Sequence, residues 1–80
     1  MVYDDAGHLI ILFEQYKEDR YQGVYYLVLD ANGNVLTRKT RFMKNARLNP
    51  CETPKFVDGA VTWVGNKVNS NKVYVYSLKL

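Results

Sequence analysis

Apolar positions in this chain come in short runs, often alternating with polar ones, and clusters of Gly, Asn, Asp and Pro separate the runs. That pattern predicts strands joined by turns. Leu9-Ile10-Ile11-Leu12-Phe13 is apolar at every position, so it predicts a strand buried from both sides. Gly23-Val24-Tyr25-Tyr26-Leu27-Val28-Leu29 predicts a second strand. The charged stretch between them, residues 14–20, reads as a solvated loop or the frayed end of the first strand. Asp30-Ala31-Asn32-Gly33-Asn34 predicts a turn, because Asn and Gly accept positive φ. Residues 35–42 follow as a more polar strand, which suits an outer or edge position. Residues 43–53 look irregular, and Pro50 and Pro54 restrict the backbone there. A short strand is expected at 55–57, a turn at Asp58-Gly59 and a strand at 60–64 carrying Trp63. A polar turn at 65–72 leads into a last strand, with Val73, Val75 and Ser77 on one face and Tyr74, Tyr76 and Leu78 on the other. No useful length shows a helical period. The expected class is all-β, with about seven short antiparallel strands.

The two halves resemble each other. Gly7-His8-Leu9-Ile10-Ile11-Leu12 aligns with Gly59-Ala60-Val61-Thr62-Trp63-Val64, each after a turn containing Asp. The 23–29 strand aligns with Lys72-Val73-Tyr74-Val75-Tyr76-Ser77-Leu78. A repeat of about 50 residues matches one four-stranded propeller blade in size. Pro54-Lys55-Phe56-Val57-Asp58-Gly59-Ala60-Val61-Thr62-Trp63-Val64, continued by the 72–78 strand, resembles the blade pattern of bacterial sialidase-like and related β-propellers. Residues 29–36 resemble the turn into such a blade's outer strand. The sialidase Asp-box, Ser-x-Asp-x-Gly-x-Thr-Trp, is absent. The resemblance implies a first blade-like repeat over 1–46 and a second over 47–80 that lacks its outer strand. A propeller has at least four blades. The expectation is therefore a single β domain, 1–80, that belongs to a larger propeller or builds a ring with copies of itself, as a binding or scaffold module and not an enzyme. Fragments of a carbohydrate-active propeller and a small nucleic-acid-binding barrel are the alternatives.

Composition agrees with a small globular unit. The chain has 80 residues, 48% hydrophobic and 24% charged, with a net charge of +3. That charge is too mild to imply a nucleic-acid partner by itself. Cys51 is the only cysteine, so neither an intrachain disulfide nor a cysteine-based zinc site is expected. Without those staples oligomerisation is the cheapest remaining route to stability, although many chains of about 60–80 residues fold alone. No membrane span or signal peptide is expected, and no cofactor.

Few residues suggest chemistry. His8 stands without a matching nucleophile constellation, and Cys51 without an activating base. Asp30–Asn34 lacks the spacing of a calcium loop and reads as a hairpin turn. Arg38, Lys39 and Arg41, followed by Lys44 and Arg47, form a basic run that contacts anions or guards an edge strand. Seven tyrosines offer aromatic surface for a glycan or a protein ligand. Tyr16 and Tyr21, beside Glu14, Glu18 and Asp19, are the candidate ligand-binding pair.

Overall fold

The computed structural model describes residues 2–49 and 53–80. It is all-β. The strands are β1 (Val2–Tyr3), β2 (Leu9–Lys17), β3 (Arg20–Leu29), β4 (Val35–Met43), β5 (Lys55–Val57), β6 (Ala60–Asn66) and β7 (Val73–Lys79). They form two antiparallel sheets, ordered β1-β2-β3-β4 and β5-β6-β7. Of the two readings of 14–20, the strand end is the nearer one: the segment is not a loop but continues a hairpin. β2 runs on to Lys17, β3 begins at Arg20, and only Glu18 and Asp19 turn the chain, at φ 51° and 62°. A strand end that faces water keeps its backbone ladder whatever its side chains, so polarity there does not end the strand.

The Glu18-Asp19 turn has positive φ at both central residues, where side-chain-bearing residues are strained and Asn-Gly is preferred. Glu18→Asn combined with Asp19→Gly is expected to stabilise the chain by about 1 kcal/mol. A thermal melt followed by circular dichroism should show a rise of roughly 4–8 °C.

The core lies between the sheets. Ile10 and Leu12 of β2 and Val24 and Val28 of β3 meet Val61 and Trp63 of β6 and Tyr76 and Leu78 of β7. Phe42 of β4 closes the aromatic part of this core, with its ring 5.2 Å from Trp63 and 6.2 Å from Tyr76. The alternation in β7 is as expected: Tyr76 and Leu78 are buried, whereas Val73 and Val75 are exposed. The 9–13 strand departs from expectation. Only Ile10 and Leu12 enter the core; Leu9, Ile11 and Phe13 point to the opposite face and are only partly covered. The second sheet covers one side of the first, and no described element covers the other.

A strap joins the sheets. Residues 43–48 leave β4 and cross the ends of β3 and β6, with Ala46 fully buried. Ala46 bridges Lys67, and the Val68 amide donates to the Asn45 carbonyl at 2.9 Å. Two strand glycines admit the strap. A Cβ at Gly23 would lie 2.5 Å from the Met43 carbonyl oxygen and 2.7 Å from the Lys44 Cα. At Gly65 it would collide with the Arg47 carbonyl oxygen. A glycine inside a strand often marks such a backbone approach.

Candidate functional site

The candidate pair Tyr16 and Tyr21 does come together, opposite one another at the end of the β2–β3 hairpin. Their rings meet edge to face, with centroids 5.2 Å apart. The register slips between Gln15 and Tyr16, and the slip aims Tyr21 at the strap. Its hydroxyl donates to the Ala46 carbonyl and reaches Glu14 Oε2 at 3.2 Å. The same Glu14 oxygen accepts from Arg47 Nε at 3.2 Å and from the Leu48 amide at 3.0 Å. Arg47 then spreads over the Tyr21 ring, 4.6 Å from its centroid, and donates to the Tyr16 hydroxyl at 3.2 Å. Its carbonyl accepts from Trp63 Nε1 at 3.2 Å.

The electrostatics follow from this packing. Burial, and then the Glu14 carboxylate, push the Tyr21 phenol well above the ordinary tyrosine range, so it stays protonated and donates. Partial burial works against the Arg47 charge, but Glu14 outweighs it and the guanidinium is held more firmly protonated. Tyr21 is therefore an internal clasp residue, whereas Tyr16 keeps 56% of its surface exposed. Sequence reading finds Tyr16, Tyr21 and Glu14 as neighbours. It does not connect them to Arg47, which is 33 residues from Glu14 and carries no local signal of that pairing.

Glu14 is the acceptor on which the clasp converges. Glu14→Leu is expected to cost about 2 kcal/mol, mainly because the Leu48 amide loses its acceptor in a half-buried place. The ion pair itself adds less, since Arg47 is more than a third exposed. Glu14→Gln, which keeps an acceptor, should cost about half as much. Urea unfolding of the two variants separates the contributions.

The basic run sits on the outer strand of the first sheet. Arg38, Lys39 and Arg41 are all exposed on β4. Lys39 donates to Gln15 Oε1 at 2.7 Å and lies 5.7 Å from the Tyr25 ring centroid. Arg41, opposite Tyr25 in register, approaches the Gln22 carbonyl at 3.5 Å. Lys39 and Arg41 thus rim the outer face of the sheet, and the structure does not gather the three cations into a common anion cradle.

That outer face has a large apolar floor. Leu9, Ile11 and Phe13 of β2 stand beside Leu29, Leu27 and Tyr25 of β3 in register. Phe13 and Tyr25 stack with centroids 6.0 Å apart. These side chains lie outside the buried cluster and are each partly covered, Tyr25 in part by Lys39.

His8 belongs to a turn. Its Nδ1 lies 2.9 Å from Asp4 Oδ2, and its amide donates to Asp4 Oδ1 at 2.8 Å. The Asp30 turn has the same build: Asp30 Oδ1 accepts from the Asn32 and Asn34 amides, both at 2.9 Å. This is the hairpin turn that the sequence predicts. Burial opposes ionisation of Asp4, but the amides of His8 and Ala6 and the His8 ring outweigh it and hold the carboxyl below its usual range. The Asn34 amide does the same for Asp30. No group of three or more metal-ligating side chains gathers among the described residues. Cys51 lies outside them. No helix is long and apolar enough to cross a membrane among the described residues.

No protein-family model matches the chain, and neither a curated protein nor a solved structure matches it.

Proposed function

We propose that this chain is a non-enzymatic binding or scaffold module of the propeller-blade kind, which assembles into a ring with copies of itself. The observation that carries this reading is the apolar outer face of the first sheet, built from Leu9, Ile11, Phe13, Tyr25, Leu27 and Leu29. A single chain leaves this face only half-covered, and a contiguous apolar face of this kind marks a contact surface. The second sheet offers a counterpart, with Val57, Val73 and Val75 more than half exposed. Stacking the first face of one copy on the second face of the next is a heterologous contact, which makes a ring when the rotation closes. Two further features support the blade reading. The sheets approach at β1 and β5, the first strand of each, as inner strands do around a propeller axis. The first sheet also has the four strands of a blade. A glycan or protein ligand would meet the ring at the hairpin end, where Tyr16 is exposed.

Light scattering coupled to size exclusion tests this reading. The expected mass is that of three or four protomers, giving six or eight blades. Leu27→Lys, which places a charge in the middle of the apolar floor, should reduce the mass to that of one folded chain. A folded wild-type chain that stays monomeric up to submillimolar concentration would overturn the proposal.

A further inference from the structure

The two sheets differ at their free edges. The first sheet ends on β4, which carries Arg38, Lys39 and Arg41 and pairs with β3 through three register irregularities. Charge and bulges are the standard guards against a further strand. At the other ends, β1 has two residues and β5 three, and the two lie against each other. β7 is the exception. It runs seven residues in unbroken register with β6, from Ala60 opposite Lys79 to Asn66 opposite Val73. Residues 73–78, Val-Tyr-Val-Tyr-Ser-Leu, contain no charge, no proline and no glycine. No turn or loop backbone among the described residues bonds to it. The internal correspondence makes the gap specific. β5, β6 and β7 match β1, β2 and β3 in order, and β3 carries β4 on the edge where no described strand pairs with β7.

The charge around this edge has one sign. Residues 59–80 contain Lys67, Lys72 and Lys79 and no acidic residue. Lys72 and Lys79 stand at the two ends of β7, and both are exposed. We infer that the free edge of β7 is a strand-addition site for an extended segment that carries carboxylates. Main-chain hydrogen bonds to β7 supply the binding, as in other strand-addition complexes. Carboxylates opposite Lys72 and Lys79 select the partner and set its register. A segment as basic as β4 is repelled there. This inference does not rest on stacking of the outer faces, because an edge and a face are separate surfaces of the sheet.

Two peptides test it. One has the sequence of residues 35–43, and the other has that sequence with Arg38, Lys39 and Arg41 replaced by Thr and with Val35→Glu and Phe42→Glu, which sets two carboxylates seven residues apart, as Lys72 and Lys79 are. Each is titrated into the full chain while hydrogen exchange is followed at the β7 amides. The acidic peptide is expected to bind and to slow exchange along 73–79, with weaker binding in high salt. The basic peptide should bind at least about tenfold more weakly, the effect of two or three screened charge pairs. Lys72→Glu with Lys79→Glu, two exposed changes that leave the core intact, should reverse the preference. Running the titration also on Leu27→Lys keeps the result independent of ring assembly. Equal binding of both peptides, no added protection of β7 by either, or unchanged preference in the lysine variant would each overturn the inference. Protection of β7 that rises with chain concentration in Leu27→Lys without peptide would overturn it too, since the edge would then belong to a second copy.

Discussion

Gly65→Ala is expected to remove about half or more of the chain's stability. The new Cβ would collide with the carbonyl oxygen of Arg47, a backbone atom that cannot rotate away. Relief requires the strap to lift off β6. That movement would break the bond from Trp63 Nε1 to the Arg47 carbonyl and disturb the bridge from Ala46 to Lys67. It would also pull on Glu14 and Tyr21, which hold Leu48 and Ala46 of the strap at the first sheet. Strain of this kind costs on the order of 3–5 kcal/mol, near the top of what one substitution does. The total stability of a domain this size is about 4–12 kcal/mol. Urea unfolding should show the midpoint falling by about half or more, or no folded baseline at all. A midpoint within experimental error of wild type would mean that the strap does not cross β6 as described. Gly59→Ala is the matched control, because open space surrounds that position and only its positive φ of 82° is strained.

Trp63→Ala is expected to be as damaging by a different route. The indole is 3% exposed and sits against Phe42 and Tyr76, so its removal opens a cavity among aromatic rings that are tied to separate elements. Phenylalanine- and tryptophan-to-alanine changes in cores cost roughly 3–5 kcal/mol. Trp63→Phe keeps most of the packing and loses the bond to the Arg47 carbonyl, which is worth about 1 kcal/mol. The two variants together separate packing from strap attachment. Denaturant unfolding with tyrosine fluorescence or far-ultraviolet dichroism as the signal is suitable, since the tryptophan itself is removed. Equal losses in both variants would show that the strap bond, and not the aromatic packing, dominates at this position.

These two positions also show why the molecule holds together without a disulfide. The sheets share a modest core, and the strap adds polar attachments at one end of it. Glu14, Tyr21 and Arg47 make those attachments with side chains from β2, β3 and the strap itself. Tyr21 holds the Ala46 carbonyl, and Glu14 holds Arg47 Nε and the Leu48 amide. The clasp is therefore sensitive to the backbone position of the strap, and Gly23 and Gly65 set that position.

The β class was legible in the sequence because alternation is a local property. Tyr74, Tyr76 and Leu78 fall on one face of β7 whatever surrounds it, and Asp30-Ala31-Asn32-Gly33-Asn34 turns through its own side-chain and backbone bonds. The polar character of β4 likewise announced an outer strand. The charged stretch at 14–20 left loop and strand end undecided, because polarity reports exposure and not backbone conformation.

Which surfaces are covered is set by packing between distant parts of the chain. The sequence makes the 9–13 strand apolar on both faces. That Ile10 and Leu12 meet the second sheet while Ile11 and Phe13 do not depends on which side that sheet packs. The partnership of Glu14 with Arg47 depends on a strap whose path no local pattern encodes. Side-chain periodicity fixes what a strand can bury, because it is set by bonds between adjacent residues. What a strand does bury depends on contacts between residues distant in sequence, and those exist only once the chain has folded.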